Sequence, residues 1–521
     1  MRRLPKKSNT LPANTKDTQE KIRINKKTVL IVGAGIAGLT AGIYARKSGF
    51  DVTIYESHSS AGGNCTSWRR KAYLFEGGLH WLTGSGADQP LNKVWREVGA
   101  LTEETRFRLG ETFMTCNWPG QQVSLYRDVA KLKAHLCAVS PEDAPRIKAL
   151  CRDIIRFTAF HMPVTDIPRL RTTKKSPSII RDGFKMIPAL LRIIPLGALS
   201  VTDYAARFKH PAIRLLLTSV VNPNYDAVSL LATLGCFAAR DGGYIEGGSL
   251  TLAANMAKCF EELGGIIRYN KKIEKVQVTE GRARGALVDG EIIPADALIV
   301  TSDTLSAIDT LFDPPIREGW ARTMRAKTYL PGALIMCSFI SIGVDSDLSD
   351  LPESMTFPLE KPFEHAGKMI RSLAYKLYSG AAGYAPENCS AITLIISGDT
   401  YDYWKQARAQ GCYDKRKKEL FEQILAALEK QLPPIKGKAV VWDVATPLTY
   451  ERYCGTYHGS WMTVTPAGSK RVFYSCKPQH IKNLYFAGQR ILPPGGTPVA
   501  VSTGRTAAQY LCRDFGVVFK S

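Results

Sequence analysis

The stretch TVLIVGAGIAGLTAGIYARKSGFDVTIYE, Thr28 to Glu56, decides the fold. Thr28 to Val32 is a short β-branched apolar run, the pattern of a parallel strand buried on both faces. Gly33, Gly35 and Gly38 follow at GxGxxG spacing. The first permits a tight turn, the second lets backbone approach a pyrophosphate, and the third lets the next helix pack closely on the strand. Leu39 to Ser48 has helical character, with Gly42 as a further small residue on its sheet-facing side, and Gly49 ends it. Asp51 to Tyr55 is a second buried strand. Glu56 stands at its end, 18 residues beyond Gly38, where a carboxylate hydrogen-bonds a ribose diol and disfavours a 2′-phosphate. A lone glycine motif often only turns the chain. Strand, glycines, helix, strand and acid in that order predict a dinucleotide site, with Ile36, Ala37 and Ser57 as its flanking residues.

Working outward, SHSSAGGNCTSWRRKAYLFEGGLHWLTGSG follows from Ser57 to Gly86. Gly62 and Gly63 lie just past the acid, where backbone can pass beside the diphosphate, and Asn64 comes next. Tyr73 to Glu76 reads as a short strand leading into Gly77-Gly78-Leu79-His80-Trp81, a second close approach that would put His80 beside a reactive ring. Asp241 to Glu261 combines glycine pairs with a helix. Ile273 to Val278 is expected to be a strand of the nucleotide unit, with the Val276 backbone near the adenine. Ala283–Val288 and Glu291–Ile293 enclose Asp289-Gly290, a hairpin signal, and Ala297 to Thr301 returns as a buried strand. At the far end, Asn483 to Ala487 is a buried strand, Gly488 and Gln489 follow, and Pro493 to Gly496 make a tight loop. Thr497-Pro498-Val499 then opens a helix running to about Tyr510, with Pro where a first turn tolerates it. Its free N–H groups could stabilise the anion of a reduced flavin. A second cofactor face built at the far end of the chain favours FAD over NAD.

These segments resemble one branch of the flavin oxidoreductases, which includes phytoene desaturases, carotenoid cis–trans isomerases and retinol saturases. The resemblance is carried by the GxGxxG with Glu56, SSAGGNCTSW, FEGGLHWL, DGGYIEGGSLTLAANMAKCFEELGGIIRYNKKIEKV, TPLTYERYCG and NLYFAGQRILPPGGTPVAVSTGRTAA, and it spans Thr28 to Tyr510. It implies an α/β fold: a Rossmann-like FAD-binding domain of the glutathione-reductase/amine-oxidase type, with an inserted α+β substrate domain. It also implies an FAD-dependent oxidoreductase acting on a long apolar unsaturated substrate such as a carotenoid, retinoid or polyenoic lipid. Desaturation, saturation and isomerisation are its alternative outcomes, with hydride passing at flavin N5 and His80 or solvent handling the proton. Glu246 and Tyr450 are lesser candidates for that proton. Asn64 and Gln489 depart from the wider group, in which Arg and an acid are common at these places; both keep hydrogen-bonding ability and lose charge.

One nucleotide fingerprint leaves no dedicated nicotinamide domain, so NAD(P)H could bind only transiently in the substrate cleft. The expected division is a basic tail over residues 1–27, a cofactor domain over 28–90, 241–305 and 440–521, and a substrate domain over 91–240 and 306–439. Leu91 to Arg240 reads as mainly helical. Tyr329 to Asp443 carries more strands and a helix around Lys415 to Gln431. Two competing functions share the flavin motifs or the fold: an amine-oxidase or protoporphyrinogen-oxidase-like flavoenzyme, and a lipid-escort protein without flavin chemistry. The intact glycines and Glu56 argue against the escort role.

The 521 residues carry 69 Lys and Arg against 47 Asp and Glu, a net charge of +22. Nine of those bases precede Thr28, facing only Asp17 and Glu20. That tail lacks the apolar core of a secretory signal, and it reads as a solvated leader. Twelve cysteines without CxxC pairs read as reduced thiols of a cytosolic protein, with no metal site. No zinc-finger, RNP or helix-turn-helix pattern supports nucleic-acid binding. No apolar run reaches the ~18 to 20 residues of a membrane span. Ile180, Phe184, Ile187, Leu191 and Ile194 do share one face of a predicted helix, widened by Ile193 and Leu196, with Arg181, Lys185 and Arg192 off it and Pro188 expected to kink it. On periodicity alone this is a core-packed amphipathic helix; with Arg169, Arg171, Lys174 and Lys175 upstream, the basic amphipathic element also suits docking on a membrane surface as a peripheral protein. The oligomeric state is left open.

Overall fold

The computed structural model describes residues 26–174, 179–328, 330, 332–379 and 383–521. The tail up to residue 25 and Lys175 lie outside the described residues. Thr28–Val32 buries its apolar residues on both faces and sits in the middle of a five-stranded parallel sheet. The order is Leu484–Phe486, Ala297–Val300, Thr28–Val32, Asp51–Tyr55, Ile266–Arg268. Leu30 pairs with Thr53 on one side and Leu298 on the other. The order places the two strands adjacent in sequence side by side and brings in the distant strands at the edges, the doubly wound arrangement expected of a nucleotide fold.

Helix Ile36–Lys47 covers this sheet and begins three residues earlier than its sequence pattern suggests. It packs on helix Gly496–Asp514, which continues past Tyr510 to the end of its apolar stripe. Close packing requires small residues here: a Cβ on Gly504 would stand 2.5 Å from Ala37 O, and one on Gly42 would stand 2.8 Å from the Phe260 ring. The predicted hairpin forms between Arg282–Val288 and Glu291–Pro294, with Asp289 and Gly290 both at positive φ (51° and 80°). It belongs to a three-stranded antiparallel sheet with Ile273–Thr279.

The second large sheet has seven strands, in the order Ala439–Ala445, Cys337–Val344, Ser390–Ser397, Lys368–Ser379, Ser354–His365, Thr112–Trp118, Gln121–Tyr126. Helices Tyr401–Ala409 and Tyr413–Gln431 cover one face through Trp404, Phe421, Ile424 and Leu428. Helices between Val129 and Ala238 form another core with Phe339 and Cys337. The insertion from Leu91 is mainly helical, and within it Thr112–Trp118 and Gln121–Tyr126 make a hairpin that extends the large sheet. Pro119-Gly120 supplies its turn and Met114, Cys116, Val123 and Leu125 its buried side. Strand Ala439–Ala445 pairs with Cys337–Val344, so the large sheet reaches a few residues past the boundary at 440.

Helix Ile179–Gly197 forms where expected and runs through both Pro188 and Pro195. Ile180 and Arg181 lie outside the described side chains. Ala189 and Leu196 bury against the insertion core, while Phe184 (68% exposed), Leu191 (74%) and Ile194 (85%) face outward with Ile187 and Leu190. Among the described residues no helix is long and apolar enough to cross a membrane, and no cluster of His, Cys, Asp and Glu could hold a metal ion. All twelve cysteines are free.

Candidate functional site

The glycine loop after the first strand is built by backbone. Gly33, at φ +97°, donates its N–H to Tyr55 O at 2.8 Å. A Cβ on Gly38 would lie 2.0 Å from Gly33 O and 2.7 Å from Thr301 Oγ1, so this glycine is required for helix and strand to meet. Gly35 differs. Its φ is −70°, and a Cβ there would meet nothing nearer than 3.9 Å. The folded chain does not need glycine at 35; the space its missing side chain leaves belongs to a cavity. Gly62 donates to Ala34 O at 3.0 Å and bridges to Gly35, so the two glycine segments lie side by side. Glu56 is buried and fixes both: Oε2 accepts from Ala34 N at 2.7 Å and Oε1 from His58 N at 2.8 Å.

One cavity of about 1160 Å³ joins this loop to the insertion and the large sheet. That exceeds the ~300–1,000 Å³ of an ordinary small-molecule site and suits a cofactor and a substrate side by side. Gly33, Gly35, Ile36, Ala37, Glu56, Ser57, Gly62, Gly63, Asn64, Gly78, Leu79, His80, Gly488, Gln489, Thr497 and Pro498 all line it. Gly38, Val276 and Val499 do not. Gly38 faces Gly33, Val499 is fully buried, and Val276 buries its side chain and donates its N–H to Leu311 O at 2.7 Å. The far wall is the substrate-side insertion and sheet, including Phe160, Met186, Leu190, Ile193, Val228 and Ile395.

The two uncharged departures, Asn64 and Gln489, converge. Asn64 Nδ2 and Gln489 Nε2 both donate to Trp461 O, at 3.4 and 3.0 Å. Arg490 holds the same loop, binding Asp303 at 2.6 Å, Thr463 Oγ1 at 2.5 Å and Ser460 Oγ at 2.6 Å. Asn64 Oδ1 is buried with no hydrogen-bond partner among the described residues, an acceptor left for a ligand. Helix Gly496–Asp514 presents its first turn here, where N–H groups have no partner within a helix.

Segment Gly77–His80 is pinned at four points. Glu76, fully buried, accepts from Gly78 N (2.9 Å), Leu79 N (3.1 Å), Ser249 N (2.9 Å), Ser249 Oγ (2.6 Å), Tyr244 Oη (3.1 Å) and Ser67 Oγ (3.3 Å). Ser249 Oγ also takes Leu79 N at 2.9 Å. Tyr450 Oη donates to Gly77 O at 2.9 Å, and Lys376 Nζ to His80 O at 2.7 Å. The His80 ring stacks on Phe339 (6.1 Å, 10°) and meets the edge of Trp461. Its Nε2 is buried without a partner among the described residues. Burial, reinforced by the Lys376 charge, pulls the imidazole down to about 3. His80 is therefore neutral at physiological pH and cannot serve there as an imidazolium acid. Tyr450 acts on backbone, with its phenol pushed well above its ordinary range by burial. Glu246 is exposed and does not line the cavity.

No sequence motif by itself points to Glu76, Ser249 or Lys376 as site residues. Glu76 directly precedes the glycine pair, a signal that could have named it. Lys376 alternates with Tyr375 and Leu377, which enter the opposite core, so a lysine on the other side of a central strand was the clue.

The glycine-limited backbone, Glu56, the Asn64 Oδ1 left without a partner among the described residues and the helix terminus fit a dinucleotide such as FAD. Comparison with known proteins agrees. Residues 36–512 match the family described as flavin containing amine oxidoreductase. A phytoene desaturase (lycopene-forming) of Paracoccus sp. is 22% identical over 509 residues, covering 94% of this chain and 98% of that protein. An all-trans-zeta-carotene desaturase of Myxococcus xanthus is 25% identical over 524 residues, covering 94% of each. The solved cyclohexylamine oxidase from Brevibacterium oxydans superposes with a TM-score of 0.57 at 15% identity, over 94% of this chain and all (100%) of that one; at that identity it shows the shared fold.

Proposed function

The chain belongs to the flavin-containing amine oxidoreductases, and from that premise we propose that this FAD-dependent enzyme acts on a long apolar polyene, by desaturation, saturation or double-bond isomerisation. The observation that carries the reading is the single cavity in which the glycine loops and an apolar chamber meet at His80. The named activities of the desaturases of Paracoccus and Myxococcus point the same way.

FAD, when bound, supplies an electron-pair acceptor or donor at N5. The protein's own part is binding, orientation and exclusion of water. Gly35, Gly62 and Gly63 give backbone access to the pyrophosphate, and Glu56 has lone pairs left for a ribose diol. The first turn of helix Gly496–Asp514 offers N–H groups and a positive dipole end to developing negative charge. Glu76, Ser249, Tyr450 and Lys376 fix the segment that carries His80, whose neutral ring keeps a buried Nε2 available for a hydrogen bond to what lies against it.

An apolar substrate must come from somewhere other than water. The outward residues of helix Ile179–Gly197 form an exposed apolar face beside Lys185, and Met186, Leu190 and Ile193 of the same helix line the cavity. This arrangement supports peripheral docking on a bilayer, with substrate passing along the helix. Extraction of purified protein and mass spectrometry of what co-purifies tests the reading. FAD together with a polyene or other long-chain apolar molecule is expected; a polar amine as the only companion of FAD would overturn it.

A further inference from the structure

Charged side chains in the cavity wall come with partners. Arg490 is held by Asp303 (2.6 Å), Arg471 by Asp226 (2.6 Å) and Arg505 by Asp166 (2.8 Å). Asp241 accepts from Gly84 N and Gly86 N, at 2.8 and 3.0 Å. Arg108 faces Glu353 at 3.7 Å. Lys376 differs from these lining arginines: among the described residues it forms no ion pair with a carboxylate within 4.0 Å. One of its N–H groups serves His80 O, and its ammonium sits over the Tyr244 ring at 4.4 Å. The groups facing it are the carboxylates of Glu353 and Glu76, the Arg108 cation, neutral His80, and the Tyr244 and Tyr378 rings. Burial outweighs the two distant carboxylates and pulls the amine to about 8, so most of it still carries charge at neutral pH. A buried cation whose carboxylates stand beyond ion-pair distance is costly, and a ligand carboxylate in contact with it would offset that cost.

We infer that Lys376 is the binding group for a carboxylate at one end of the substrate, so that the cavity prefers a polyenoic acid to the hydrocarbon or ester of the same length. This rests on the apolar-substrate reading above and narrows it. A protonated amine, by contrast, would meet Lys376 as a like charge.

The test uses the flavin-loaded enzyme in the dark and reads binding, not turnover. The probes are cis-parinaric acid, a fluorescent conjugated polyenoic acid, and its methyl ester. A charge-assisted hydrogen bond predicts that wild type binds the acid about tenfold or more tightly than the ester near pH 7. That preference should fall as pH rises past about 8, the value from which a bound carboxylate shifts the amine upward. In Lys376→Met the preference should vanish, so that acid and ester bind alike, whatever their common affinity becomes once the His80 O contact is also lost. The pH series on wild type stands even if the variant fails to fold. Equal binding of acid and ester by wild type, a preference unmoved by pH, or a preference kept by Lys376→Met each overturns the assignment while leaving an apolar substrate intact. Failure of both probes to bind overturns it together with the apolar-substrate reading.

Discussion

Gly35 and Gly38 belong to one motif, yet the structure assigns them opposite jobs, and alanine separates them. At Gly35 an added Cβ finds no atom within 3.9 Å and the φ of −70° suits any L-residue. Reduced freedom of the unfolded chain stabilises such a change by up to about 1 kcal/mol. Gly35 is also the N-cap of helix Ile36–Lys47, where Ala is poorer than Gly by roughly the same amount. The two nearly cancel, so the flavin-free Gly35→Ala protein should melt within about 2 °C of wild type. Its Cβ enters the cavity where the pyrophosphate approaches. Loss of one or two charge-assisted N–H contacts, each about 1.5–3 kcal/mol, weakens FAD at least about tenfold, and the larger Gly35→Val more. Gly38→Ala instead drives Cβ to 2.0 Å from Gly33 O; helix and strand must part, costing about 3 kcal/mol or more. Thermal melts of apoprotein and FAD titration by fluorescence quenching measure both. A Gly35→Val protein that takes up FAD with wild-type affinity would refute the placement of the pyrophosphate.

Glu76→Gln keeps shape but turns an amide toward donors that now point at a carboxylate; a loss of about 2–4 kcal/mol and weakened flavin retention are expected in denaturant melts and in flavin content. The pair Phe184→Ser and Leu191→Ser, both on the exposed face, should reduce binding to anionic vesicles in flotation assays without loss of flavin or stability, and wild-type binding should weaken with salt; unfolding of the double variant would contradict the docking face. FAD should be released intact on denaturation: Cys454, whose Sγ donates to Gly63 O at 3.6 Å, is pushed up to about 12 by burial and is no nucleophile at neutral pH. Flavin retained by the precipitated chain would contradict that.

The cofactor half of the molecule was legible because its demands are local. Gly33 is fixed by its positive φ and Gly38 by the close approach of helix and strand within one turn, and the Asp289-Gly290 hairpin by two positive φ values. The substrate half was less so. The hairpin of Thr112–Trp118 and Gln121–Tyr126 lies in a helical insertion, and its place is set by pairing with Met355 and Thr356, far along the chain. Lys376 and His80 are nearly 300 residues apart (|i−j| = 296), and no spacing rule links them. The apolar face at Phe184 and Leu191 could equally have been core from its periodicity; only the packed structure assigns Ala189 and Leu196 inward and leaves the others out. Val276 spends its N–H on Leu311 O and does not line the cavity.

Anaerobic mixing tests the central claim most directly. Oxidised enzyme is mixed with a partly saturated polyene, reduced enzyme with a fully conjugated one, and each with putrescine or cyclohexylamine, while the flavin bands and the polyene products are followed. An enzyme of apolar polyenes should bleach with the first, recover colour with the second, or isomerise a polyene without net flavin change, and should ignore both amines. Bleaching by an amine while neither polyene mixture responds would contradict the account.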